Sequence, residues 1–117
     1  MSKSLGPYTP IVRAGDWLIV SGQVGIGEDK ALVDGGVKAQ TTQAVENLAG
    51  LLHGEGAGLT DVAKTLCFLA DMDTFADFNE AYITAFGDHR PARSTVGVAA
   101  LPIGAAVEIE AWAHKPQ

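Results

Sequence analysis

Arg93, Thr95, Glu108, Glu110 and Trp112 are the residues whose types and spacing point most directly to chemistry. The first two stand two apart in an apolar segment, residues 93–99, and the other three alternate with Val107, Ile109 and Ala111 in a second, residues 106–113. Strand residues two apart point the same way, so each segment gathers its polar set on one face. Joined by Ala100-Leu101-Pro102-Ile103-Gly104-Ala105, the two read as neighbouring antiparallel strands. Pairing Ala99 with Ala106 sets Gly97 opposite Glu108, Thr95 opposite Glu110 and Arg93 opposite Trp112, with Val96, Val98, Val107, Ile109 and Ala111 together on the core face. A slip of one residue would put Val96 beside Glu110. A guanidinium offers a planar fork to a carboxylate, and a carboxylate can take a proton from water. Arg93 can equally be a cross-strand partner of Glu108 or Glu110, and the residue pattern leaves both open. A half-polar sheet face on a small domain suits an oligomer interface or the wall of a site.

The other reactive side chains form no pattern of their own. Cys67 is the sole cysteine, so no internal disulfide forms, and its neighbours Leu66 and Phe68 make it a buried small hydrophobe. His53, His89 and His114 are too scattered for metal-ligand spacing. The glycines at 25, 27, 54, 56 and 58 lack the strand-to-helix setting and the Lys-Ser or Lys-Thr of a phosphate loop. Thr95 has no histidine or amine beside it to make it a nucleophile.

Elements of order ββαβαββ must position these residues. Ile11, Val12 and Arg13 are separated from residues 17–21 by Ala14-Gly15-Asp16, a hairpin turn. Residues 22–36 read as loop, with one short strand around 31–33. Val37, Thr41, Ala44, Val45, Leu48 and Leu52 recur at helical spacing, with Asp34 or a nearby glycine as cap and Gly54 as stop. Residues 62–70 are apolar on both parities, as in a strand covered on both faces. Thr74-Phe75-Ala76-Asp77 has the form of a capping box, opening a helix whose stripe of Phe75, Phe78, Tyr82 and Phe86 is core and whose end is Gly87.

The chain of 117 residues, 47% hydrophobic and 19% charged, is one globular domain over residues 1–117. Its net charge of −6 withholds the cations that nonspecific nucleic-acid binding requires, so no nucleic-acid partner is expected. No apolar run is long enough for a membrane span, and the first residues lack the apolar core of a secretory leader, so no membrane association and a cytoplasmic location are expected.

Gly6-Pro7-Tyr8, Ser21-Gly22-Gln23, Phe78-Asn79-Glu80-Ala81-Tyr82, Pro91-Ala92-Arg93-Ser94 and Val107-Glu108-Ile109-Glu110-Ala111 follow one another in the order and spacing of the RidA family. The chain resembles these YjgF-type reactive-intermediate deaminases from about Gly6 to Ala113. The resemblance implies an α+β, chorismate-mutase-like fold, with a six-stranded, mainly antiparallel sheet backed by two helices. It implies a homotrimer with the sheets around a central barrel and active sites between neighbouring subunits.

The implied reaction is hydrolysis of 2-imino acids, in equilibrium with 2-enamino acids, to 2-oxo acids and ammonia (the 2-iminobutanoate/2-iminopropanoate deaminase type). It needs no metal or cofactor and limits damage to pyridoxal-phosphate enzymes. In this resemblance Arg93 matches the arginine that binds the substrate carboxylate, and Glu108 the glutamate that holds the attacking water. Glu110 is close enough in sequence to take that role instead. Tyr8, Ser21, Gly22 and Asn79 match site-lining positions, and Gly22 suits a close approach of backbone to substrate. Thr95 stands where the family often has cysteine, and His89-Arg90 replaces a commonly apolar approach to the arginine. Both departures bear on which substrates are taken. Two other readings share the resemblance: a noncatalytic trimeric binder of small 2-oxo or related carboxylates, and an endoribonuclease or translation inhibitor, which the negative charge disfavours.

Overall fold

Five strands and two long helices alternate along the chain in the computed structural model, which describes residues 6–117. Strands β1 (Ile11–Ala14) and β2 (Trp17–Val24) form the expected hairpin, with Gly15 supplying the positive φ of its turn. Helix α1 (Gly36–His53) follows, capped by Gly35 in the left-handed region. Strand β3 (Val62–Leu69), helix α2 (Phe75–Phe86), strand β4 (Ala92–Gly97) and strand β5 (Val107–His114) complete the order. The loop before α1 contributes only a single bridge, Ile26 to Leu32, where a short strand is expected. The sheet therefore has five strands among the described residues, one fewer than the resemblance implies. The capping box of α2 is not made: Thr74 is the N-cap without a side-chain bond, and its hydroxyl donates to Asp71 O instead.

The sheet order is β1-β2-β5-β3-β4. This overturns the expected pairing of β4 with β5, because β3 lies between them. β3 pairs antiparallel with β5 and parallel with β4, the parallel step being made by the α2 crossover. The link from β4 to β5 wraps the end of β3: Val98 N donates to Leu69 O at 2.9 Å, and Ala70 N to Ala106 O at 3.1 Å. Six residues easily bridge two strand spacings, about 10 Å, so the length that fits a hairpin turn also fits a straddle.

Both helices cover one face. Ala44, Val45, Leu48 and Leu52 of α1 and Phe78, Tyr82 and Phe86 of α2 pack on Leu18, Val20, Val62, Cys67, Leu69, Val107, Ile109 and Ala111. The other face is open in the single chain, although it carries Val12, Trp17, Ile19 and Val96 as exposed apolar side chains. Parity was decisive for β5, where Glu108, Glu110 and Trp112 do point away from the core. It misleads for β4. Val96 points to the open face, and Arg93 and Thr95 pair with the buried Thr65 and Cys67 and point toward the helices.

Candidate functional site

A bulge in β2 builds one end of the open face. The β2–β5 register shifts between Val20 and Gln23, so Ser21 and Gly22 occupy the irregularity. Ser21 ties the N-terminal segment to it: Ser21 N donates to Pro10 O at 2.8 Å, and Ser21 Oγ to Thr9 O at 2.7 Å. Tyr8 is thereby held over β2, and with Ser21, Gly22, Pro102, Glu108 and Glu110 it lines an open cleft of about 460 Å³. That volume suits a small metabolite. Burial holds the Glu108 carboxyl above the usual carboxylate range, and the neighbouring Glu110 charge raises it further. Glu110 is raised by burial alone. The cleft is lined by acids, hydroxyls, backbone and the apolar Val12, Ile19 and Val20, and no cation lines it among the described residues.

Arg93 is found on the opposite face. Its guanidinium carbon stands 5.7, 5.2 and 4.9 Å from the ring centres of Phe75, Phe78 and Tyr82, within cation–π range of all three. The rings come from one stripe of α2 and are braced from below: Tyr82 Oη and Thr65 Oγ1 are 2.7 Å apart, and the Cys67 thiol donates weakly to the same Thr65 oxygen at 3.9 Å. Burial pushes the Cys67 thiol up to about 11, so it is no nucleophile near neutrality. His89 Nε2 donates to Val62 O at 2.7 Å and anchors the turn that leads into β4. Asn79 Oδ1 on α2 and Thr95 Oγ1 on β4 are both shielded from solvent and lack a hydrogen-bond partner among the described residues. The Cys67 thiol opposite Thr95 is only a weak donor. An orphaned buried polar atom costs roughly 1–3 kcal/mol, which a bound polar ligand would recover.

The residues expected to form one site are thus divided. Tyr8, Ser21, Gly22 and Glu108 come together in the cleft, whereas Arg93 and Thr95 lie on the helix-facing side of β4, across the sheet, and Asn79 lies on α2. The expected shared face of Arg93 and Thr95 with Glu108, Glu110 and Trp112 does not exist within one chain. Among the described residues Arg93 makes no ion pair, so the cross-strand role is not the one it has. Sequence reasoning missed the ring cage, because aromatic residues at helical spacing look the same whether they bury each other or a guanidinium. It also missed Pro102, whose place in the cleft depends on the straddling link.

A family model described as Endoribonuclease L-PSP matches residues 1–115. A 2-iminobutanoate/2-iminopropanoate deaminase of Mus musculus is 43% identical over 111 residues, 94% of this chain and 82% of the mouse protein. A RutC family protein of Pyrococcus horikoshii is 41% identical over 114 residues, 97% of this chain and 90% of its own. The crystal structure of a candidate endoribonuclease from Thermotoga maritima superposes with a TM-score of 0.91 at 45% identity, covering 98% of this chain and 91% of its own. With a match of this extent, the chain is a member of the YjgF/RidA family.

Proposed function

We propose that the protein hydrolyses small reactive 2-imino and 2-enamino acids to 2-oxo acids and ammonia, in the cytoplasm, as a homotrimer with active sites between subunits. The observation that carries this reading is the division of the site. Among the described residues the cleft can activate water but has no cation to bind a carboxylate, and the β4–α2 side holds a caged cation with no carboxylate beside it. A neighbouring copy that brings its β4 edge to the cleft joins the two. The apolar open face gives such copies a reason to associate, since an isolated chain would leave Trp17, Ile19 and Val96 in water.

In the joined site Arg93 of one subunit binds the substrate carboxylate bidentately, with Thr95 and Asn79 completing its polar contacts. Glu108 of the neighbour holds water against the iminium carbon. As the water oxygen bonds to that carbon, one of its protons passes to Glu108, giving a neutral carbinolamine. Glu108 returns the proton to nitrogen, the C–N bond breaks as the carbonyl forms, and the hydroxyl proton leaves with the departing ammonia as ammonium. A carboxyl raised toward neutrality suits both transfers better than an ordinary one. Neither a metal nor a cofactor enters these steps.

The test couples an amino-acid oxidase to the purified protein and follows decay of the imino acid, with the spontaneous rate in water subtracted. Acceleration by the wild type that Arg93→Ala lowers about 100-fold at substrate concentrations below KM is expected. Binding of 2-oxo acids without any acceleration would replace this reading with that of a carboxylate binder.

A further inference from the structure

Gly22 stands in the β2 bulge with a backbone outside the left-handed region, where any L-residue fits. Chain geometry therefore does not explain the absence of a side chain, and the three nearest atoms belong to a side chain and not to backbone. The atoms that fill the space are those of Glu108. A β-carbon at position 22 would overlap Glu108 Oε2 and lie 2.7 Å from Cδ and 2.9 Å from Cγ. Gly25, one turn of the loop further on, differs: a β-carbon there meets the α1 backbone, at 2.6 Å from Gln40 Cα.

We propose that Gly22 is a positioning residue for Glu108, its missing side chain forming the seat that holds the carboxylate inside the cleft. The inference rests on the deaminase reading for its kinetic arm only. A carboxylate lying flat on the bulge has two consequences. It cannot rotate further toward the bulge, and it stays in the lining of the cleft. Glu108 is the far end of a flexible side chain, so alanine at 22 displaces the carboxylate while the fold persists. Alanine at 25 has only backbone to move and acts on stability instead.

The groups facing Glu108 are few. Among the described residues, Glu110 on its own strand and Tyr8 from the N-terminal segment are the titratable groups in the cleft, and the neighbours across the ladder are the uncharged Phe68 of β3 and Val24 of β2. Displacement toward water removes the burial that raises the Glu108 carboxyl, so its titration moves down toward the ordinary carboxylate range.

The experiment measures Gly22→Ala, Glu108→Ala and the double variant, by carbon NMR titration of labelled glutamate carboxyls, by imino-acid turnover and by thermal melting. The Glu108 titration is expected to fall in Gly22→Ala, and kcat to drop on the order of 100-fold, as misplacement of a reacting group does, with KM changed less than about 2-fold. Adding Gly22→Ala to Glu108→Ala is expected to cost little more, because the seat then has no carboxylate left to hold. An unchanged titration and kcat in Gly22→Ala overturn the proposal, as do losses that multiply in the double variant. If Gly22→Ala melts early, recovery of the melting temperature in the double variant supports the seat, and no recovery overturns it. If the wild type turns over no imino acid, the deaminase reading falls while the titration still decides the seat.

Discussion

The cleft on the open face and the cage between β4 and α2 hold their reactive groups in opposite ways. Glu108, on β5, packs against the irregular stretch of β2, and burial together with a second carboxylate raises it. Arg93 sits on a regular edge strand, under three aromatic rings fixed to one helix. The acid is tuned by what surrounds it, and the cation is only aimed. An arginine keeps its charge in almost any surroundings, so a protein gains little by perturbing it and much by fixing its plane. A carboxylate that must take and return a proton needs its affinity adjusted, and burial beside a like charge does this. The lesson is that each half is well formed and chemically insufficient. The missing component of each is the one the other displays.

The most damaging way to break this comparison is to remove the acid. Glu108→Ala is expected to lower kcat about 1000-fold, the scale of general acid–base catalysis, with KM little changed. Steady-state kinetics on an oxidase-generated imino acid reads both constants. Arg93→Ala comes next, with about 100-fold lost from kcat/KM, mostly as raised KM, because a charge-assisted carboxylate contact of roughly 3 kcal/mol is removed. Should Arg93→Ala act on kcat and Glu108→Ala on KM, the two roles are reversed and the account is wrong.

Finer changes sharpen each side separately. Phe75→Leu keeps apolar bulk but deletes one ring of the cage, and is expected to raise KM about 3-fold, in line with a cation–π contact of roughly 0.5–1 kcal/mol. Glu110→Gln removes the like charge beside Glu108. The Glu108 carboxyl then loses its proton at lower pH, so the acid limb of the kcat/KM profile moves down. Burial still holds it above the ordinary range, so the limb does not return all the way. A limb that moves upward, or a Phe75→Leu effect confined to kcat, contradicts the assignment.

Much of this arrangement was legible in the residues. The two helices follow from stripes such as Ala44, Val45, Leu48 and Leu52, and their ends from Gly54 and Gly87, because one buried face leaves a regular trace. The open-face placement of Glu108, Glu110 and Trp112 follows from alternation against a dry core. What alternation cannot tell is which side of β4 is which. On that edge strand Val96 faces the open side and Arg93 the helices, since the open face is itself apolar and the cage is aromatic. Adjacency in sequence likewise suggested a β4–β5 hairpin, and only the competition of β3 for the same place decides against it. The family motifs named the site residues without their partition, because motif order carries no information on which face or which copy a residue serves.

The central claim is that Arg93 and Glu108 act on one substrate from different chains. Arg93→Ala and Glu108→Ala proteins, each lowered about 100-fold or more in kcat/KM, should be unfolded together in equal amounts, refolded as mixed oligomers and assayed for imino-acid turnover at substrate concentrations below KM. With sites shared between neighbours, random mixing rebuilds an intact pair at about one site in four, so roughly a quarter of wild-type activity returns. If the mixture assembles but stays as inactive as its components, the two residues do not meet between subunits and the account fails.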